Sequence, residues 1–147
     1  MLSTDMAFKK DASAGYLANH MARLFALALH DRIRPLGLAP AQFMTLLELW
    51  EDDGLTQKDL VQRLDVEQAT MANTLKRMER DGLITRTENP EDRRAQLVRL
   101  TPKAKALQEA ATSAATGVNE KALSALSPED RQAFVSLMIR VIGALQD

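Results

Sequence analysis

The stretch from residue 68 to residue 80 places hydrogen-bonding side chains at helical spacing. Met71, Leu75 and Met78 fall three and four residues apart, so they share one apolar face of a helix. Most of the other positions of this helix carry amide, hydroxyl or cationic side chains. Such side chains can bond base edges when a helix lies in the major groove of B-DNA. The pattern therefore predicts a helix that could contact DNA. The candidate contacts are Gln68, Thr70, Asn73, Thr74, Lys76 and Arg77.

A second cluster of charged side chains follows this helix. Gly82 ends the helix, since glycine tolerates the left-handed C′ conformation. The runs LITRTE and QLVRLT then alternate apolar and polar residues, and NPEDRR between them is typical of a turn. The pattern predicts a hairpin with Asp92, Arg93 and Arg94 at its tip, where arginines could reach a DNA minor groove. The alternative is an ordinary hairpin with a solvated tip.

Helical patterns surround these two segments and must position them. The sequence predicts helices over residues 13–34, 39–51, 56–64, 67–80, 102–123 and 127–145, with Thr56 and Ser127 as N-caps. Two short helices joined by a brief turn, as over 56–80, form a helix-turn-helix. We therefore predict a mainly α fold of the α+β class. It is a winged helix-turn-helix with a two-stranded wing and long N- and C-terminal dimerisation helices.

The chain divides into three expected regions. Residues 1–35 would form an N-terminal arm and a dimerisation helix, residues 36–100 the winged helix-turn-helix DNA-binding lobe, and residues 101–147 the C-terminal dimerisation helices. The first and last helices carry more apolar surface than so small a core needs. Such surface at both ends predicts a homodimer with two-fold symmetry. The alternative is that these helices cap the core of a monomer.

Composition excludes several classes of protein and of binding site. The net charge is −1, so nucleic-acid binding would depend on the placement of a few cations rather than on bulk charge. The sequence contains no cysteine, which excludes disulfides, Cys-ligated zinc and thiol-based redox sensing. No apolar run approaches the ~20 residues that span a bilayer, and the N-terminus lacks the apolar core of a signal peptide. We expect a cytoplasmic protein that does not enter a membrane.

The sequence lacks the common catalytic and metal-binding patterns. It contains no HExxH, no GxSxG and no glycine-rich phosphate loop. His20 and His30 lie ten residues apart on the first helix, and the carboxylates are scattered, so no ligand cluster forms. We expect no enzymatic activity, no cofactor and no metal.

The order of elements and the run D-G-L-I-T-R-x-x-N-P-E-D-R-R-A-x-x-V-x-L-T-x-K-A resemble the MarR family of transcriptional regulators. The resemblance extends over nearly the whole chain from Tyr16 on and is strongest over residues 56–101. It implies a homodimeric protein of bacterial or archaeal type that binds double-stranded DNA at a pseudo-palindromic operator. It also implies release by a small ligand, frequently aromatic and anionic, with repression as the usual mode. The rival hypothesis is a winged-helix protein-interaction module that binds no DNA.

The resemblance also implies roles for residues of the wing. Asp92 and Arg94 match the family's wing pattern, in which the arginine enters the minor groove and the aspartate pairs with a basic neighbour. Arg77 is the candidate neighbour, and Arg93 could add a phosphate contact. Asn89 stands where an aspartate is common.

Ligands in this family bind in a cleft between the dimerisation helices and the DNA-binding lobe. His20 lies on the first helix and Trp50 lies at the end of the second, so both are candidate ligand-binding residues. The alternative is that Trp50 belongs to the core and that His20 is a half-buried polar residue.

Overall fold

The computed structural model of the protein describes residues 7–147. Residues 1–6, part of the predicted N-terminal arm, lie outside the described residues. In chain order the elements are α1 (Ala14–Ile33), α2 (Pro40–Glu51), β1 (Leu55–Thr56), α3 (Gln57–Leu64), α4 (Gln68–Arg80), β2 (Ile84–Thr87), β3 (Leu97–Leu100), α5 (Pro102–Ala106), α6 (Gln108–Ala122) and α7 (Pro128–Leu145). This order confirms the predicted mainly helical, winged helix-turn-helix fold.

Local sequence signals set the ends of several helices. Ser13 caps α1 by accepting a hydrogen bond from the backbone N–H of Tyr16. Thr56 and Asp59 form a capping box at the start of α3, in which each side chain accepts from the other's backbone N–H. Gly82 follows α4 with φ at +75°, the left-handed conformation that glycine adopts at low cost.

One apolar core holds the helix-turn-helix in place. Asp65 ends α3 in the left-handed conformation at φ +53°, which turns the chain into α4 within three residues. Helix α4 packs against α2, α3 and β2. The largest side chains that are fully buried come from every one of these elements and from α1 and β3: Ile33, Leu46, Leu49, Leu60, Leu75, Met78, Leu83, Ile84 and Val98.

The wing is an antiparallel hairpin extended by one short strand. Strands β2 and β3 pair from Ile84 opposite Leu100 to Thr87 opposite Leu97, as the alternating pattern predicts. The sequence did not predict β1, which pairs with the other edge of β3 and makes the sheet order β1-β3-β2. Gly54 permits this pairing at φ +90°, because a Cβ there would lie 2.7 Å from Arg99 Nη1.

The prediction of one helix over residues 102–123 is wrong, because the chain breaks at Leu107 into α5 and α6. The carbonyl of Ala104 accepts from Leu107 N at 3.2 Å and from Trp50 Nε1 at 3.1 Å. A regular α-helix would use that carbonyl for the N–H of residue 108. The indole of Trp50 therefore competes with the helix and favours a tighter turn at this point.

Helix α7 makes little contact with the core of its own protomer. None of its residues is buried, and Leu137 and Leu145 are 53% and 81% exposed. Near its start, Arg131 Nη1 lies 3.0 Å from Glu120 Oε2 on α6. Just past its end, Gln146 Nε2 donates to Asp65 Oδ2 at 2.8 Å, at the turn between α3 and α4.

None of the helices in residues 7–147 combines the length and the apolar character that a membrane span requires.

Candidate nucleic-acid interface

Helix α4 has one buried face and one exposed face. Met71, Leu75 and Met78 are buried against the core. This burial fixes the rotation of the helix about its axis, so its polar side chains point away from the protein. Five of the six predicted contact residues are exposed. Thr70, Asn73, Lys76 and Arg77 lie on that outer face, whereas Gln68 lies in the first turn of α4, three residues before the buried Met71.

Thr74 differs from the other candidates on α4. It is only half exposed, and its hydroxyl donates to the carbonyl oxygen of Thr70 at 3.0 Å. The hydroxyl hydrogen is therefore already used within the helix, as is common for threonine in helices. Thr74 could accept a hydrogen bond but has no free hydrogen to donate.

The tip of the wing presents two arginines to solvent. The side chains of Arg93 and Arg94 are 90% and 94% exposed. Asp92 Oδ1 accepts from the backbone N of Arg94 at 3.0 Å and from its Nε at 3.3 Å. The expectation that Asp92 pairs with Arg77 is therefore wrong: the aspartate bonds a residue of its own turn, two positions along the chain. Because Asp92 and Arg94 belong to one turn, their pairing does not require that the wing tip and α4 be held against each other.

Asn89 replaces the usual aspartate without loss of the turn. Its Oδ1 accepts from the backbone N of Glu91 at 3.0 Å, and its carbonyl oxygen accepts from Asp92 N at 3.2 Å. An amide oxygen serves as well as a carboxylate in such an Asx turn. Arg93 Nε lies 3.5 Å from Glu88 Oε1 at the base of the tip.

A group of side chains that sequence reasoning missed anchors the C-terminal end of α4. Asp81 accepts from Arg80 Nε at 3.0 Å and from Gln42 Nε2 at 2.9 Å. These hydrogen bonds, with that from Arg80 the stronger influence, hold the pKa of Asp81 below its ordinary value. Lys103 Nζ donates to the backbone carbonyl of Asp81 at 2.8 Å. The one available signal was Gln42, a polar residue within the apolar part of α2.

The wing is also joined to α4 directly. Arg86 Nε on β2 lies 3.7 Å from Glu79 Oε1, near the end of α4.

At the other end of α4, Gln57 Nε2 approaches both the side chain and the backbone carbonyl of Gln68. Sequence reasoning assigned no role to Gln57, which begins α3.

The structure does not bring His20 and Trp50 together. His20 is exposed on α1 beside Tyr16, with ring centroids 6.4 Å apart. Trp50 packs on Phe43, with ring centroids 6.1 Å apart, and its indole N–H is bonded to Ala104. Trp50 is therefore a structural residue, as the alternative held, whereas His20 is exposed rather than half buried.

A cavity of about 740 Å³ lies between α1, α2, α6 and α7. Neither His20 nor Trp50 lines it. Its walls are apolar except for Asn119, and the larger side chains that form them are Phe25, Leu29, Phe43, Met44, Leu47, Leu123, Phe134, Met138, Ile139 and Ile142. A cavity of this size and lining can hold a small apolar or aromatic molecule.

Comparison with known proteins gives the family. The sequence model of the MarR family matches residues 38–95. The uncharacterised HTH-type transcriptional regulator YwoH of Bacillus subtilis is 34% identical over 119 residues, which cover 81% of this chain and 86% of YwoH. The organic hydroperoxide resistance transcriptional regulator of the same organism is 34% identical over 110 residues, which cover 75% of this chain and 74% of the relative.

Solved structures show the same fold. A probable transcriptional regulator from Pseudomonas aeruginosa has a TM-score of 0.84 at 28% identity, covering 90% of this chain and 99% of that chain. The repressor CouR, solved bound to a 23-mer DNA duplex, has a TM-score of 0.82 at 26% identity, with coverage of 90% and 94%. BpsR of Bordetella bronchiseptica, whose DNA binding is regulated by 6-hydroxynicotinic acid, has a TM-score of 0.83 at 26% identity, with coverage of 91% and 96%.

These relatives are regulators of transcription, and two of the similar structures are described by their DNA binding. They support the DNA-binding hypothesis and not the protein-interaction module. The exposed donor face of α4 and the arginines of the wing agree with that assignment. The chain belongs to the MarR family and is a winged helix-turn-helix, DNA-binding transcriptional regulator.

Proposed function

We propose that the protein is a homodimeric repressor that binds a pseudo-palindromic operator and is released by a small aromatic ligand. The observation that carries this proposal is the exposed polar face of α4 beside the two exposed arginines of the wing. Because these residues occupy one lobe, a two-fold pair of lobes would meet two successive major grooves of a duplex. The protein would act on DNA in the cytoplasm, and we assign it no enzymatic step.

Gln68, Thr70, Asn73, Lys76 and Arg77 are the proposed contacts of α4. Asparagine and glutamine amides can bond adenine, and arginine can bond guanine, through two hydrogen bonds each. Thr74 is a secondary contact that can only accept.

The proposed contacts of the wing differ in kind. Arg94 would enter the minor groove, and Arg93 would contact phosphate. Asp92 supports this by holding the backbone and the guanidinium of Arg94.

The homodimer is supported by apolar surface that one protomer leaves uncovered. On α7, Val135, Leu137, Ile139 and Val141 are each about half exposed or more. On α1, Leu17, Leu24 and Leu27 are similarly exposed. Monomeric proteins rarely expose so many apolar side chains close together. We therefore assign α1 and α5–α7 to dimerisation and residues 36–100 to DNA binding.

The ligand site that we propose is the apolar cavity rather than the pair His20 and Trp50. An aromatic ring would lie against Phe25, Phe43 and Phe134. Among residues 7–147 the lining contains no cation and one polar side chain, Asn119, so a ligand carboxylate would need to remain accessible to water. The sequence contains no cysteine, which excludes thiol oxidation as the signal.

The proposal is tested by the footprint of the protein on DNA. Duplexes enriched from a random library by the wild-type chain should share a sequence with two-fold symmetry. Hydroxyl-radical protection should then appear as two equal halves about one helical turn apart, on one side of the duplex. A single protected segment would contradict the homodimer. Enrichment of no sequence would contradict specific binding.

A further inference from the structure

Gln57 and Gln68 link the first residues of the two helices of the helix-turn-helix. Gln57 Nε2 lies 3.4 Å from Gln68 Oε1 and 3.5 Å from the backbone carbonyl oxygen of Gln68. Gln57 is half buried, whereas Gln68 is exposed in the first turn of α4, the part of a recognition helix that contacts base edges. The contact therefore joins a partly shielded amide to one of the side chains that faces DNA in the proposed function.

The backbone carbonyl of Gln68 decides which way both amides point. A carbonyl oxygen only accepts, so the atom of Gln57 that faces it must be the donor Nε2 and not Oε1. That donor in turn faces the end of the Gln68 amide, which must then be the acceptor Oε1. Rotating the Gln68 amide by half a turn would place two NH₂ groups against each other. One fixed acceptor thus sets the orientation of two otherwise symmetric groups.

The orientation of an amide determines what it can read. Bidentate recognition of adenine needs the amide oxygen at N6 and the amide nitrogen at N7. Gln68 Oε1 has two lone pairs, so one can accept from Gln57 while the other accepts from a base. Both hydrogens of Gln68 Nε2 stay free to donate. The hydrogen bond from Gln57 therefore leaves both Oε1 and Nε2 of Gln68 able to bond a base, and it disfavours the reversed orientation of the Gln68 amide.

We propose that Gln57 is a positioning residue for DNA recognition, which orients the amide of Gln68 for one base. The inference rests on the proposed function, because it requires that α4 contact base edges. Hydrogen bonds between such exposed groups contribute little to folding, so the role should appear in sequence preference rather than in stability.

The test compares variants of the full chain on the duplex that the wild type enriches and on a scrambled duplex. Gln57→Ala should weaken binding to the enriched duplex about tenfold and binding to the scrambled duplex less than about twofold. In a Gln68→Ala background, Gln57→Ala should have no further effect, since there is no amide left to orient. Gln62→Ala is the control, because Gln62 lies on α3 about 140° around the helix from Gln57 and is exposed.

A variant with the opposite hydrogen-bonding chemistry gives an independent readout. Gln57→Glu places acceptors beside the carbonyl of Gln68, so the Gln68 amide should rotate and the preferred base at that position should change. Independent, multiplicative effects of Gln57→Ala and Gln68→Ala would overturn the inference, as would equal losses on both duplexes. If the wild type enriches a sequence but Gln57→Ala keeps its affinity, only the inference fails. If the wild type enriches none, the proposed function fails as well.

Discussion

Gln42 Nε2 donates a hydrogen bond of 2.9 Å to Asp81 Oδ2, which joins the first turn of α2 to the C-terminal end of α4. The Oε1 of the same amide accepts from the backbone N of Ala39 at 3.1 Å. Gln42 is only 6% exposed, so water cannot readily replace either bond. One buried amide thus satisfies a backbone donor at the start of α2 and orients the carboxylate that ends α4.

Replacing Gln42 should destabilise the protein. Gln42→Leu leaves Ala39 N without a partner and removes one donor from Asp81, and an unsatisfied buried group costs about 1–3 kcal/mol. We expect the free energy of unfolding in urea to fall by about that amount. Gln62→Leu, on the exposed side of α3, is the matched control and should change it by less than about 0.5 kcal/mol. Equal midpoints for Gln42→Leu and the wild type would show that the amide contributes nothing.

Asp81 should make stability depend on acid pH. Its pKa is lowered in the folded protein by the hydrogen bond from Arg80 and then by that from Gln42. Such a carboxyl group stabilises the fold above its unfolded pKa, near about 4, and this stabilisation is lost as the pH falls through the folded pKa. The melting temperature of Asp81→Asn should therefore fall less steeply than that of the wild type below about pH 4. Gln62→Asn, which removes no titratable group from the exposed side of α3, should keep the wild-type slope.

The two kinds of DNA-binding residue should fail in different ways. Asn73→Ala removes a planar amide from the outer face of α4. It should cost about 1–3 kcal/mol on the enriched duplex and little on a scrambled one. Arg94→Ala removes a cation from the wing tip. It should weaken binding to both duplexes and lower the slope of log affinity against log salt by about one unit for each arginine–phosphate interaction that is removed.

Binding isotherms at several salt concentrations measure both effects. Lys121→Ala is the control for charge, since Lys121 lies at the end of α6, away from α4 and the wing. Should Arg94→Ala leave the affinity and the salt slope at wild-type values, the wing does not contact DNA.

The apolar face of α7 should be required for assembly. Leu137→Asp places a charge on a surface that the homodimer would bury, and an unpaired buried charge is strongly unfavourable. Sedimentation at micromolar concentration should give twice the chain mass for the wild type and one chain mass, or an unfolded chain, for the variant. Gln62→Asp, on the exposed side of α3, should sediment as the wild type does. Wild-type protein that sediments as a single folded chain would contradict the dimer.

Ligand binding should be visible through Trp50, although it does not line the cavity. Trp50 is the only tryptophan and packs on Phe43, which does line it. An aromatic carboxylate should change Trp50 fluorescence and weaken DNA binding along one saturable curve, and DNA should weaken the ligand by the same factor. Ala26→Phe fills the cavity and should abolish both responses, while Gln62→Phe, on the exposed side of α3 and away from the cavity, should keep them. A fluorescence change with constant DNA affinity would leave the cavity without a regulatory role.

Sequence alone predicted those features that depend on neighbours within a few residues. Thr56, Ser127 and Gly82 act on the neighbouring turn of chain, and the alternation over β2 and β3 follows from one buried face. The break at Leu107 depends on which carbonyl the indole of Trp50 reaches, 54 positions away. The Gln42–Asp81 bond spans 39 positions, and no local pattern specifies it. The exposure of Thr70, Asn73, Lys76 and Arg77 was predictable because it follows from helical period, whereas Gln68 is exposed because it lies in the first turn, and Thr74 is half buried. The side chains that support these contacts were not predictable from the sequence.

Helix α7 is held at both ends and open along its middle, which gives it the mechanics of a lever. Its 18 residues extend about 27 Å, and about 22 Å separate the Arg131–Glu120 pair from the Gln146–Asp65 bond. A tilt of about 5° around the first anchor would move the far end by about 2 Å, comparable to the length of the hydrogen bond there. A small rotation at the surface proposed for dimerisation would thereby produce a larger displacement at the turn between α3 and α4.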